Sequence, residues 1–309
     1  MNFFKPKFWD KNKISFFSVL LFPASLLIKV LSLLKRFMVK THQSSIPIIC
    51  VGNIYLGGTG KTPLCAELFF IIKNLNKEPV FIKKEYKNFQ DETKILKEIG
   101  TTYESPKRIN ALKKAIQNNF QVAILDDGFQ DFTLKKDLSI ICFNERQWIG
   151  NGLVIPSGPL RESLSALNRA NFVVINGKRN INIENKILKN NKLIKIFYST
   201  YSPENIDSFK NKKIICFAGI GNPSNFFDLL HENKINVFKQ ISFPDHYNYS
   251  PTELNSLIKE ANENNATLLT TEKDYFRIDE ESKKNIKYLK IKLELENKKQ
   301  FIEEIKKFI

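Results

Sequence analysis

VGNIYLGGTGKTPL, residues Val51–Leu64, leaves an apolar strand, passes through a glycine-rich loop and enters a helix. The residues IPIICVG (Ile46–Gly52) read as a buried strand, and Lys61–Lys73 as a helix. A phosphate-binding loop requires that context. Gly57, Gly58, Thr59 and Gly60 let the backbone turn tightly and aim several N–H groups at phosphate oxygens. The helix N-terminus adds partial positive charge. Lys61 is expected to reach the β- and γ-phosphates of ATP, and the Thr62 hydroxyl to ligate Mg²⁺. The eight-residue pattern begins with glycine, where this chain has Tyr55. The strand–loop–helix context outweighs that departure.

Further along, strands alternate with helices. PVFIKK (Pro79–Lys84), VAILDD (Val122–Asp127), LSIICF (Leu138–Phe143), FVVIN (Phe172–Asn176) and LIKIFYS (Leu193–Ser199) read as strands, and Ser105–Asn118 as a helix. Continuous apolar strands separated by helices indicate a parallel α/β sheet covered on both faces, the P-loop type of fold. A strand ending in Asp126 and Asp127 is where such folds hold Mg²⁺ or polarise water. Adjacent acids on an extended strand face opposite sides, so one is expected to face the metal and the other a substrate hydroxyl or an arginine.

The polar stretch TYSPENIDSFKNKK (Thr200–Lys213) breaks the alternation. After it come KIICFAGIG, a helix from Pro223, VFKQIS, a helix from Ser250, TLLTT, a strand at IKYLKIKL and a final helix. The expected organisation is an N-terminal helical segment over 1–40, a P-loop core over 41–207 and a smaller α/β domain over 208–309.

The chain of 309 residues is 42% hydrophobic and 26% charged, which excludes a disordered tail or a small disulfide scaffold. Cys50, Cys65, Cys142 and Cys216 are scattered and read as small buried hydrophobes. With three histidines and no Cys/His cluster, a zinc site is not expected. The net charge of +16 comes from lysines spread along the chain, with only seven arginines, which argues against nucleic acid.

From Ile14 to Ile28 the chain has no charge, yet lysines flank it on both sides and Pro23 lies inside it. A bilayer span needs about 20 apolar residues. A cleaved signal peptide conflicts with the nucleotide loop that follows. A helix lying in the membrane interface fits best, with Phe3, Phe4, Phe8 and Trp9 as aromatic anchors; a buried packing helix is the alternative.

IYLGGTGKTP, DDGFQ, the GNG and PSGPLRE of Gly150–Glu162, FAGIGNPSNFF (Phe217–Phe227), FPDHY (Phe243–Tyr247) and LLTTEKDYFRI (Leu268–Ile278) follow one another along the chain. In order and approximate spacing they resemble the tetraacyldisaccharide 4'-kinase family, the lipid A kinases of Gram-negative bacteria. The resemblance runs from Lys5–Trp9 into the C-terminal domain. It implies a monomeric enzyme on the cytoplasmic face of the inner membrane. With ATP and Mg²⁺ it would phosphorylate the 4'-hydroxyl of a lipid A precursor, a tetraacylated glucosamine disaccharide 1-phosphate. By the same resemblance Asp91 is the general base and His246 its partner, while Asp126, Asp127 and Glu162 organise Mg²⁺ and the acceptor. The expected metal ligands are Thr62, Asp127 and Glu162. If Asp91 and His246 pair, the expected site lies in a cleft between domains.

Arg146, Arg161 and Arg277 fall inside these motifs, pointing to fork contacts with phosphate or carboxylate, or to structural salt bridges. Three departures from the family bear on the acceptor: the divergent segment Lys83–Thr93, Asp131 where the family commonly has His, and Tyr247 where a second His is frequent. TEKD (Thr271–Asp274) has letters similar to a guanine signature but lies in the second domain. A kinase for another membrane sugar lipid and a P-loop ATPase are the rival readings.

Overall fold

The computed structural model describes residues 6–10, 13–85 and 91–309. They form two compact units. The larger holds residues 6–10, 13–85, 99–200 and 293–309, and the smaller residues 91–98 and 201–292.

In chain order the larger unit begins with α1 (Phe16–Leu20), α2 (Phe22–Met38), β1 (Ile48–Gly52), α3 (Lys61–Asn74) and β2 (Pro79–Lys84). Next, α4 (Asp91–Ile99) lies in the smaller unit but for its last residue. The larger unit resumes with β3 (Thr102–Ser105), α5 (Arg108–Gln117), β4 (Val122–Asp126), β5 (Leu138–Asn144), β6 (Phe172–Asn176), α6 (Ile181–Asn190) and β7 (Lys195–Pro203). The smaller carries β8 (Lys213–Ala218), α7 (Pro223–Glu232), β9 (Asn236–Ser242), α8 (Pro251–Glu263), β10 (Thr267–Thr271), α9 (Glu272–Tyr275) and β11 (Ile286–Leu289). The chain then returns to the larger unit through β12 (Ile291–Leu295) and α10 (Lys298–Ile305).

The large sheet has the order β12-β7-β6-β5-β1-β4-β2-β3, and the pairs from β7 to β3 are parallel. Every residue of β1, β4, β5 and β6 is buried, as continuous apolar runs require when helices cover both faces. Val51 pairs with Asp126, so the loops leaving β1 and β4 emerge side by side at the carboxyl edge. Ligands bind at that edge in open α/β sheets. The small sheet, β11-β10-β8-β9, is also parallel.

The units differ from the expected domains: the N-terminal helices are part of the larger unit, residues 201–207 join the smaller one, and two further segments change sides. Residues 91–98 pack with the C-terminal unit, because Arg277 and Lys273 bind the acids that open α4. The segment IKYLKIKL divides at Lys290: its first half joins the small sheet and its second the large one, where Phe301 of α10 packs edge-on to Phe197 at 4.9 Å. The strand β3 escapes a reading by apolar runs because TYES is polar and only half-buried. Asp127 does not extend β4; its φ of 54° starts a turn, so the two acids do not alternate across a strand.

The N-terminal segment breaks at Leu21, and Pro23 sits in the first turn of α2, where its missing N–H costs nothing. Its polarity is inverted. Ser25 is buried; its Oγ donates to Val154 O at 2.8 Å and is hydrogen-bonded with the Ser157 hydroxyl at 2.8 Å. Ser18 is buried as well and accepts from Asn151 Nδ2. Phe16, Leu27, Leu31, Leu34 and Phe37 are exposed. Trp9, expected as an exposed anchor, is buried instead: its Nε1 donates to Pro156 O, and its carbonyl accepts from Asn151 N. Phe8 is half-buried and stacks on Phe17. Phe3 and Phe4 lie outside the described residues, as do Tyr86–Gln90 of the divergent segment.

Candidate active site

The loop between β1 and α3 turns through Gly57 at φ 131° and Gly60 at φ 90°, conformations that L side chains rarely adopt. A Cβ at Gly58 would meet nothing within 4 Å, so the loop presents bare backbone on that side. Asn53, which sequence reasoning missed, braces it: Nδ2 donates to Tyr55 O at 2.6 Å, Gly57 O at 3.2 Å and Thr59 Oγ1 at 3.0 Å. A polar residue at the end of an apolar strand was the available signal. Tyr55 lies buried under the loop, and its hydroxyl donates to Asp10 Oδ1 at 2.8 Å. Burial and that carboxylate push the Tyr55 phenol far above its ordinary pKa.

Lys61 is buried at the start of α3, with Nζ 3.7 Å from Asp127 Oδ1. Arg161 Nη1 holds both oxygens of the same carboxylate, at 2.9 and 3.0 Å. Asp126 takes a different partner: its Oδ2 lies 2.6 Å from the buried Nζ of Lys83. Among the described residues the other oxygen of Asp126 is buried without a hydrogen-bond partner. Glu162 is held by Arg169 Nη2 at 2.9 and 2.8 Å and by Gln130 Nε2 at 3.2 Å. Arg108 donates to the carbonyls of Asp126 and Asp127 and to Asp131 Oδ2, fixing the whole turn.

These groups fit ATP with Mg²⁺. Bare loop amides and a buried lysine match a polyphosphate. Hard oxygen donors, including the orphaned Asp126 Oδ1, match Mg²⁺, which takes one or two carboxylates and keeps waters and phosphate oxygens. Among the described residues no group of three or more His, Cys, Asp or Glu is gathered as a metal site. Cys50, Cys65 and Cys142 lie buried in this unit, and burial pushes the Cys50 thiol to about 11 and that of Cys142 to about 12. They are inert packing residues.

In the smaller unit Asp91 is buried at the start of α4. Arg277 Nε donates to Asp91 Oδ2 at 2.9 Å, and His246 Nδ1 lies 3.6 Å from the same oxygen. Lys273 Nζ lies 4.0 Å away and binds Glu92 at 2.9 Å. Burial opposes ionisation of Asp91, but the neighbouring His246 imidazole and the charges of Lys273 and Arg277 outweigh it. They hold the carboxyl well below the usual carboxylate range. The fully buried Asp274 anchors the cluster by accepting from Arg277 Nη1, Tyr249 Oη, Thr271 Oγ1 and Gly219 N. Asp91 and His246 thus meet within one compact unit, because residues 91–98 belong with 201–292 and not with the expected 41–207 core. Of the singled-out arginines, Arg161 and Arg277 make contacts to carboxylates.

Residues 17–103 and 87–309 match the sequence model of the family described as LpxK, tetraacyldisaccharide-1-P 4'-kinase. A tetraacyldisaccharide 4'-kinase of Pelagibacter ubique is 44% identical over 96% of this chain and 95% of its own. One from Rickettsia bellii is 34% identical over 97% of both chains. The crystal structure of LpxK from Aquifex aeolicus in complex with ATP superposes with a TM-score of 0.70 at 23% identity, over 94% of this chain and 99% of that one, which establishes the shared fold.

Proposed function

Since the chain belongs to the tetraacyldisaccharide 4'-kinase family, we infer that it transfers the γ-phosphoryl of ATP to the 4'-hydroxyl of a tetraacylated glucosamine disaccharide 1-phosphate. One observation carries the phosphotransferase assignment. A buried P-loop lysine and an arginine converge on Asp127 where β1 and β4 end side by side.

In this reading Gly57–Gly60 and the N-terminus of α3 bind the phosphates, and Lys61 meets charge that develops on the transferred group. Thr62 and Asp127 would hold Mg²⁺, with the free oxygen of Asp126 and with Glu162 as the remaining acidic donors. Mg²⁺ held by these residues would supply positive charge to offset the charge that develops on the phosphates. Arg161 and Lys83 orient the two aspartates and give them counter-charges. Asp91, ionised at neutral pH, accepts the proton of the attacking hydroxyl; the oxygen forms its bond to the γ-phosphorus and ADP departs. Proton transfer to a weak base occurs late, which suits a loose transition state. His246 and Arg277 orient the carboxylate.

The inverted N-terminal helices support a place on the membrane surface. Their small polar residues bind the protein, while their large apolar residues face outward, opposite to a soluble amphipathic helix. Among the described residues no helix is long and apolar enough to cross a membrane. A helix in the interface plane, on the cytoplasmic side where ATP is available, meets both facts. Every residue assigned above comes from one chain, so a monomer suffices.

Incubation with γ-labelled ATP, with and without the disaccharide lipid, tests the reading. Label in the lipid at its 4'-position supports it. Acceptor-independent phosphate release indicates an ATPase, and label entering only a different sugar lipid indicates another kinase.

A further inference from the structure

Three cations from three parts of the larger unit converge on the half-buried ring of Phe132. Arg36 Cζ, from the last turn of α2, lies 5.6 Å from the ring centroid. Lys136 Nζ lies 5.7 Å away and Arg169 Cζ 5.0 Å. Cation–π attraction holds such groups near a ring but leaves their charge uncancelled. Arg169 is balanced by Glu162, and nearby Asp131 is taken by Arg108. Among the described residues neither Arg36 nor Lys136 has a carboxylate partner; Lys136 donates to the backbone carbonyl of Asp131. Burial, with the charges of Arg169 and Arg108, outweighs the attraction of Asp131 and pushes the Lys136 ammonium below its ordinary pKa. The patch therefore has an electrostatic deficit that an anion would fill.

Its position narrows the anion. Arg36 is followed by Phe37 and Met38, both exposed, at the end of the outward-facing apolar helix. A cation there stands at the depth of lipid headgroups. The chain after α2 is tied to the Phe132 loop: Thr41 Oγ1 donates to Phe132 O at 3.0 Å and His42 N to Thr133 O at 2.8 Å. The loop in turn is the continuation of the Asp126–Asp127 turn, and Arg108 clamps both ends of it.

We propose that Arg36 and Lys136, arranged about Phe132, bind the 1-phosphate of the acceptor lipid and so select acceptors that carry it. The inference deepens the function proposed above and rests on it. A phosphate monoester presents several oxygens to an arginine fork and an ammonium at once, which a single-point anion does not. The acceptor's own phosphate is favoured over a bulk phospholipid because the patch is built on the loop that carries the acidic pair. A headgroup bound there is tethered to the reacting end of the same molecule.

The test uses the full chain in mixed micelles, with tetraacyldisaccharide 1-phosphate and its 1-dephosphorylated counterpart as acceptors. Wild type is expected to show a KM at least about tenfold lower for the phosphorylated acceptor, the scale of a charge-assisted contact. Arg36→Gln and Lys136→Gln should each raise that KM several-fold toward the dephosphorylated value, with the KM for ATP and for the dephosphorylated acceptor unchanged. Arg36 lies on an exposed helix surface, so its variant tests the idea even where Lys136→Gln fails to fold. Equal increases for both acceptors overturn the proposal. So does reduced sedimentation with phosphatidylglycerol vesicles, relative to phosphatidylcholine, with acceptor discrimination intact; that result assigns the patch to bulk anionic lipid. Label in neither acceptor overturns the proposed function itself, whereas transfer indifferent to the 1-phosphate overturns this inference alone.

Discussion

Lys83 Nζ lies 2.6 Å from Asp126 Oδ2, and both side chains are buried at the ends of adjacent strands β2 and β4. The pair gives a fully buried acid next to the nucleotide loop a counter-charge. Removing one partner of a buried pair leaves an uncompensated charge, at a cost of about 3–5 kcal/mol. Lys83→Met should therefore lower unfolding stability by about that amount in denaturant titrations. Adding Asp126→Leu should restore most of the stability but not activity. Additive losses in that cycle would show that the two groups do not interact.

Lys61→Ala and Thr62→Ala should each lower kcat by 10²-fold or more while the protein stays folded by circular dichroism. Both side chains open α3 at the loop. Activity close to wild type in either variant removes the phosphate-binding assignment.

Asp91→Asn should lose most of kcat and retain ATP affinity, because the amide keeps the shape but does not take the proton. His246→Ala should lose less. The double variant should be little worse than Asp91→Asn alone, since groups acting as one unit are non-additive. Their separation of 3.6 Å within one compact unit is the basis for this expectation. Multiplicative losses would reject the pairing.

Replacing Leu27, Leu31 and Leu34 together with Gln should move the protein from the membrane fraction to the supernatant, with ATP binding and melting temperature unchanged. All three side chains point outward, so little native packing is lost. Ser25→Leu should do the reverse: it disrupts the Ser157 contact and destabilises the fold without releasing the protein from membranes.

Glu272 supplies a pH signature. Burial, together with Glu98 and Glu204, raises its carboxyl from 4.5 to about 7, against the opposing charge of Lys290. A carboxyl whose folded value exceeds its unfolded one favours the folded state when protonated. Stability is then full below about pH 4.5 and falls as pH rises toward 7. Glu272→Gln should raise the melting temperature at pH 8, leave it nearly unchanged at pH 4.5 and flatten the profile between. A variant that tracks wild type at every pH overturns the shift.

What could be read without coordinates is what depends on neighbours along the chain. Continuous apolar runs imply strands covered on both faces, and Gly57 to Gly60 followed by Lys61 and Thr62 imply a phosphate loop, because backbone angles and side-chain period are local properties. The order of motifs was enough to name the family. What only tertiary structure decided is which charge meets which. Lys83 lies far from Asp126 in sequence, and Arg277 from Asp91; each pair exists because packing brings two chain segments together. The same holds for the assignment of residues 91–98 to the C-terminal unit, where Arg277 and Lys273 neutralise acids that in isolation read as a solvated helix start. The burial of Trp9 and the inward turn of Ser18 and Ser25 are also tertiary facts. An apolar segment specifies that it leaves water, but the partner it leaves water for is settled by the surface around it.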